Sequence, residues 1–294
     1  MVGIIAGSFA SLFSYLLKLV VSTTNQLTQI PSTYKPISYP FVLDSVLLFT
    51  VLLPVFGGLV SGLFIYVFCK EAEGMGTDSM IYSFHHREGK INSLVPFIKS
   101  ISTIITLSTR GSGGKEGPIS QIGAGIGSIV GDFLGAGARA RRTLLLAGTA
   151  GGLGAIFHAP LGGAITAAEM VYKEDVESDA LIPCILSSGT AFLVTEFISG
   201  KSKVYHLENV VSYTAREFPF YLLLGILCYL GGKGFIFLFN YISNIFKNLN
   251  IKFYYKPAIG GIFCGLIYIF FPEVSGTGDE FIEDSLQGVN KFLS

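Results

Sequence analysis

Glu116 stands at the end of a glycine run, in the stretch Ser108–Gly127, STRGSGGKEGPISQIGAGIG. The chemistry this stretch offers is the holding of an anion. Glycines leave backbone N–H groups uncovered by side chains, and Pro118 suits the first turn of a helix, where its missing N–H costs nothing. Bare amides leading into a positive helix end are a ready anion site. The Glu116 carboxylate is placed to fill that site itself, as a tethered rival of a free ion. The plainer alternative is a glycine-rich turn closed by a solvated glutamate. A nucleotide loop does not fit, because Glu116 follows Gly114-Lys115 where a phosphate loop needs a Mg²⁺-binding hydroxyl.

What surrounds this stretch is apolar. Half of the 294 residues are hydrophobic, only 14% are charged, and 36 are glycine, which places the chain among membrane proteins with closely packed or broken helices. Twenty basic and twenty acidic residues cancel, so charge points to no nucleic-acid partner. Tryptophan is absent, and the 14 Tyr and 25 Phe are left to anchor the interfaces. Cys69, Cys184, Cys228 and Cys264 lie scattered in or beside apolar runs without metal-ligand spacing, and read as small buried thiols. No nucleophile–base pair stands out, so no enzyme, metal or cofactor is expected. The apolar start, Val2–Val20, lacks a basic leader and reads as a membrane helix.

The elements that must position Glu116 follow from the apolar runs. Helices are expected over Val2–Val20, Val42–Cys69, Ser93–Ser108, Glu116–Leu134, Thr143–Ile156, Leu161–Tyr172, Ala180–Ile198, Phe218–Phe246 and Pro257–Phe271. A loop is expected over Ser22–Pro40 and a surface excursion over Gly200–Ala215. Thr77–Glu88 reads as a short amphipathic helix capped by Thr77 or Asp78. Gly231-Gly232-Lys233-Gly234 is expected to break its helix, and Lys233 to snorkel to water. Many segments are too short for a simple span and begin after Gly or Pro. Interrupted helices at membrane depth are tolerated where they pack in protein or line a wet cavity, and substrates of transporters bind where such ends meet. Arg139, Arg141 and Arg142 form a basic edge, read either as a headgroup-level cluster or as an anion-attracting mouth. His85, His86 and Arg87 read as a solvated face.

GSGGKEGPISQIG resembles the G(K/R)EGP motif of the CLC chloride channel and transporter family, and TLLLAGTAGGLGAIFHAPLGGAITAAE, Thr143–Glu169, resembles the two helices that follow it there. The resemblance implies an all-α, polytopic membrane fold of broken and tilted helices built as an inverted repeat. Residues 1–215 correspond to the first repeat and 216–294 to the start of the second. Gly74-Met75-Gly76-Thr77-Asp78 takes the place of the family's first anion motif, with Met75 where a serine touches the ion and Asp78 where a proline stands. A thioether does not donate as a hydroxyl does, and Met in this place matches the family's fluoride-exporting branch. His158 replaces the usual asparagine before Ala159-Pro160. Glu169 falls on a glutamate shared by channels and exchangers; Met170 follows it where many exchangers carry a second, proton-bearing glutamate. Gly276-Thr277-Gly278-Asp279 echoes Gly74–Asp78. The family's proline-bearing motif and tyrosine of the second half do not appear, so the chain is expected to be a fragment holding most of the first repeat.

The function so implied is passive or proton-coupled passage of a small anion, chloride first, across a cell or plasma membrane. Fluoride or nitrate, or a non-transporting membrane scaffold, remain the alternatives. Glu116 is the expected gate. The anion-binding set is Gly74, Met75, Gly76, Thr77, Gly114, Lys115, Glu116 and Gly117, with Glu169 as an internal carboxylate. The partners implied are the anion, protons, the bilayer and a second copy of the chain, joined along Leu161–Tyr172 and Ala180–Ile198 as a homodimer.

Overall fold

The computed structural model describes residues 1–28, 45–200 and 215–286. All eleven regular elements among them that exceed one turn are α-helices: α1 Val2–Thr28, α2 Ser45–Phe68, α3 Thr77–His86, α4 Val95–Ser108, α5 Glu116–Phe133, α6 Ala138–Phe157, α7 Pro160–Glu169, α8 Ser178–Ser199, α9 Phe218–Asn248, α10 Lys256–Phe270 and α11 Asp279–Leu286. Five of the described helices are long and apolar enough to cross a membrane. The chain divides into two compact units. One holds Met1–Val204 with Phe253–Ile282, and the other Tyr205–Lys252 with Glu283–Ser294.

The core of the first unit is α6. Every residue from Leu145 to Ala155 on it is buried, so it is enclosed on all sides. Small residues make that possible. A methyl group at Gly123 or Gly127 of α5 would overlap the carbonyls of Gly148 and Leu144 on α6, so the two backbones touch without side chains between them. On the other side of the core, Gly3 and Gly7 of α1 lie on Ser187 and Ala191 of α8. Ser11 extends the same seam, its hydroxyl donating to Gly7 O at 2.8 Å and meeting Thr195 Oγ1 at 3.1 Å. Residue numbers rise together along both helices, so α1 and α8 run parallel.

A third seam joins α2 to α10 in antiparallel fashion. Gly58 sits on the Pro257 carbonyl and Gly261 on the Pro54 carbonyl, each four residues beyond its own proline. The sequences match as well: Pro54-Val-Phe-Gly-Gly-Leu-Val-Ser-Gly62 against Pro257-Ala-Ile-Gly-Gly-Ile-Phe-Cys-Gly265. Each helix then leads through a single 3-10 turn, Lys70–Ala72 or Pro272–Val274, into a Gly-x-Gly loop and a short helix. Gly74 and Gly76, and likewise Gly276 and Gly278, all have positive φ, between 70° and 99°, a region L side chains rarely enter. The echo noted in the sequence is therefore also an echo of backbone shape.

Several expected boundaries differ. The first helix runs on to Thr28, through what reads as loop, while 29–40 of that loop and 201–214 of the Gly200–Ala215 excursion lie outside the described residues. The helix after the central stretch starts at Ala138, so the basic edge belongs to its first turns. Helix α9 of the second unit continues unbroken for 31 residues through Gly231–Gly234, and Lys233 lies over the Tyr229 ring at 5.3 Å. Each glycine costs at most about 1 kcal/mol in a helix, less than leaving amides unpaired in an apolar setting. Cys69 and Cys184 are buried, but Cys228 on α9 is exposed and Cys264 half-buried.

Candidate functional site

Two helices begin against one another at the central stretch. A Cβ on Gly117, in the first turn of α5, would overlap the Met75 carbonyl, and a Cβ on Gly76, which precedes α3, would come within 2.6 Å of the Gly117 carbonyl. The N-cap residues are Gly76 and Lys115, and neither makes a side-chain cap hydrogen bond. The first-turn amides of a helix have no acceptor within it. Two uncapped positive ends thus meet at one place. Asp78 is not the cap of α3; it sits inside the first turn, exposed, because the positive φ of 99° at the helix entrance demands glycine there.

Glu116 is exposed and folds back on its own loop. A Cβ on Gly114 would strike a Glu116 carboxylate oxygen, so the absence of a side chain at Gly114 is what lets the carboxylate lie on the backbone. Glycine serves closeness here, not handedness. Among Gly111, Gly113, Gly114 and Gly117 none has positive φ, and the left-handed residue before the run is Arg110, with φ of 65°. Of the expected anion-binding set, Met75, Gly76, Thr77 and Gly117 lie together, and Gly114, Lys115 and Glu116 form the adjoining loop. Gly74 has open space around it and the Met75 side chain is exposed.

The loop between α2 and α3 is held by residues that sequence reasoning passed over. Lys99 of α4 is buried, and its ammonium donates to the carbonyls of Ala72, at 3.0 Å, and Gly74. Gln121 of α5, fully buried, donates to Glu71 O at 2.9 Å. Arg87 clasps the Glu71 carboxylate at 2.8 Å. Desolvation raises the Glu73 carboxyl above the ordinary carboxylate range, against the pull of Lys256, Lys70 and Lys99. The signal for Lys99 was available: it is a lone charge in an otherwise uncharged run, Val95–Ser108, and such a charge is costly unless it binds something. Replacing Lys99 by Met removes a positive charge beside the loop and strips two carbonyls of their donor. Hydrogen bonds from a charged group contribute about 2 kcal/mol. Lys99→Met is therefore expected to lower the stability of the protein by about 2 kcal/mol, read as a lower thermal unfolding midpoint in detergent, and an unchanged midpoint would show that Lys99 only fills space.

The remaining candidates disperse. Glu169 ends α7 and is exposed rather than buried. His158 caps α6 in the left-handed region, φ 52°, which explains a residue type that tolerates it, as asparagine does. Its ring meets Phe192 edge-on at 5.9 Å. His85 lies 2.7 Å from the Val171 carbonyl, so it joins α3 to the end of α7 instead of facing only solvent. On the basic edge, Arg139 pairs with Asp179, Arg141 with Asp132 at 3.1 Å, and Arg142 lies over the Phe84 ring at 5.8 Å. Two of its three charges are thus paired with carboxylates, and the third stacks on an aromatic ring.

Comparison with known proteins converges on one family. The model described as voltage gated chloride channel matches residues 57–294. An uncharacterized protein of Methanocaldococcus jannaschii is 31% identical over 220 residues, covering 74% of this chain and 54% of its own length. Chloride channel protein CLC-e of Arabidopsis thaliana is 29% identical over 236 residues, covering 76% of this chain and 32% of its own. The chain thus spans about half or less of these curated relatives. In fold it is similar to the crystal structure of a slow cyanobacterial Cl⁻/H⁺ antiporter, with a TM-score of 0.78 and 24% identity over 100% of this chain and 67% of that one. It is similar also to a CLC-type fluoride/proton antiporter, with a TM-score of 0.80 and 20% identity over 98% and 68%. With a family match over most of its length and apolar helices fit to span, this multi-pass membrane protein belongs to the voltage gated chloride channel (CLC) family.

Proposed function

We propose that the protein passes a small anion, chloride first, across a membrane, with Glu116 as its gate. The observation that carries this reading is the meeting of two uncapped helix starts at Gly76 and Gly117, with the Glu116 carboxylate lying on the Gly114 backbone beside them. Peptide nitrogens at a helix start attract negative charge without the titration or strong hydration of a lysine. A dehydrated anion and an ionised carboxylate are then alternatives for the same place. When Glu116 is ionised it fills the site; when it is protonated, or displaced by an ion, the site is free. Relatives named for chloride and for chloride/proton exchange support the anion and leave room for proton coupling. Residues 1–215 and 216–294 are read as parts of two repeats, a division supported by the shared proline–glycine pattern of α2 and α10. Two copies are proposed to pair along α7 and α8, where Leu161, Ile165, Ile182 and Leu186 are exposed.

A second reading is favoured by one residue. Met75 offers no hydroxyl to the ion, and a structural neighbour with TM-score 0.80 is a fluoride/proton antiporter. The full-length protein reconstituted in liposomes separates the two. Chloride release well above that of fluoride is expected from the first reading. Fluoride release alone would replace it with the second, and no release of chloride, fluoride or nitrate would reject transport.

A further inference from the structure

Lys115 is the one charged side chain between the glycine run and Glu116, and its ammonium is already engaged. It pairs with the Asp279 carboxylate at 3.0 Å, and Thr277 Oγ1 donates to the same carboxylate oxygen at 3.1 Å. This pair is part of a continuous seam. Ser112 Oγ donates to Val274 O at 3.0 Å, and Gly113 N to Gly276 O at 3.1 Å. The gate loop Ser112–Lys115 is thereby laid along the stretch Val274–Asp279, the second Gly-x-Gly loop of the chain. Its other end, at Gly117, abuts the first Gly-x-Gly loop. The two echoing loops hold the gate loop from both sides.

We infer that Asp279 is a positioning residue of the gate, acting through Lys115. It fixes the peptide that carries Glu116, and it keeps the Lys115 ammonium from taking the Glu116 carboxylate as its own partner. The pair is partly exposed, with side-chain exposures of 24% for Lys115 and 45% for Asp279. It is therefore strong enough to hold a loop and weak enough to release it. Movement of the α10–α11 segment is thus transmitted to Glu116. This inference rests on the reading of Glu116 as a gate.

The test is a double-mutant cycle on chloride flux from liposomes holding the full-length protein, at one pH near neutrality. Asp279→Asn frees the Lys115 ammonium, which draws the neighbouring Glu116 carboxylate away from the Gly114 backbone. Resting flux is expected to rise about threefold, as befits a partly exposed ion pair. The same substitution in a Glu116→Gln background, or in a Lys115→Gln background, is expected to change nothing further. Should Asp279→Asn fail to reach the membrane folded, Asp279→Ser removes the same carboxylate, frees the same ammonium and must raise flux likewise. Unchanged flux on breaking the pair, with Glu116→Gln behaving as a gate variant, overturns the inference and leaves the gate standing. So does an equal fall in flux in every background, which is the mark of a merely structural contact. A Glu116→Gln protein that keeps the wild-type pH profile of flux instead rejects the gate itself.

Discussion

With the anion site at the junction proposed above, Gly117→Val is expected to cut anion flux by about two orders of magnitude while the protein still folds and inserts. The position that a Cβ would take at Gly117 is filled by the Met75 carbonyl, a backbone atom tied into a loop that Lys99 and Gln121 hold in place. A flexible side-chain end could move aside; this carbonyl cannot do so without carrying the start of α3 with it. Overpacking of this kind costs about 1–3 kcal/mol, within what a large apolar bundle tolerates, but binding sites need their groups placed to about 0.5 Å. Separating the two helix starts by the width of an isopropyl group exceeds that. Flux measured on reconstituted protein is expected to fall at least about a hundredfold. Gly137→Ala, at an open position with φ of −67°, serves as the control that leaves flux within about twofold. Retained flux in Gly117→Val would mean that the ion does not use the junction of α3 and α5.

With Glu116 as the proposed gate, Glu116→Gln is expected to have the second large effect, and the opposite sign. Glutamine keeps the shape of the side chain and loses its charge, so the rival to the free ion is neutralised in place. A carboxylate at a helix start is held by about 1 kcal/mol at an exposed site, which corresponds to about a fivefold change in occupancy. Chloride flux at neutral pH is expected to rise about fivefold. The larger consequence is qualitative: the pH dependence that comes from protonating Glu116 disappears. Flux recorded over a series of buffer pH values on both sides of the vesicle checks this, and a profile parallel to the wild type would remove Glu116 from the gate.

Much of this site was legible in the sequence because it is built from short-range rules. The Gly-Lys-Glu-Gly-Pro order fixes the start of α5, and proline after a histidine turn fixes the start of α7. Gly76 had to be glycine because the entrance to α3 turns through a positive φ. What was hidden depends on contacts between distant segments. Lys99 and Ala72 are 27 positions apart, and Lys115 and Asp279 are 164 apart. No local pattern announces such pairs. The proline–glycine repeat of α2 and α10 was visible as letters, but its meaning needed the antiparallel seam in which each glycine meets the other proline. The pairing of the basic edge was hidden for the same reason. Arg139 and Arg141 look like free charge in the chain, and become ion pairs only when Asp179 and Asp132 are brought beside them.

The most direct measurement is bromide location. Crystals of the full-length Glu116→Gln protein soaked in bromide, with diffraction recorded at the bromine absorption edge, are expected to show an anomalous peak within about 3.5 Å of a peptide nitrogen in the first turn of α3 or of α5, weaker in the wild type where the carboxylate competes. Bromide bound elsewhere in the protein, with none at these two helix starts, would contradict the assignment of the anion to them.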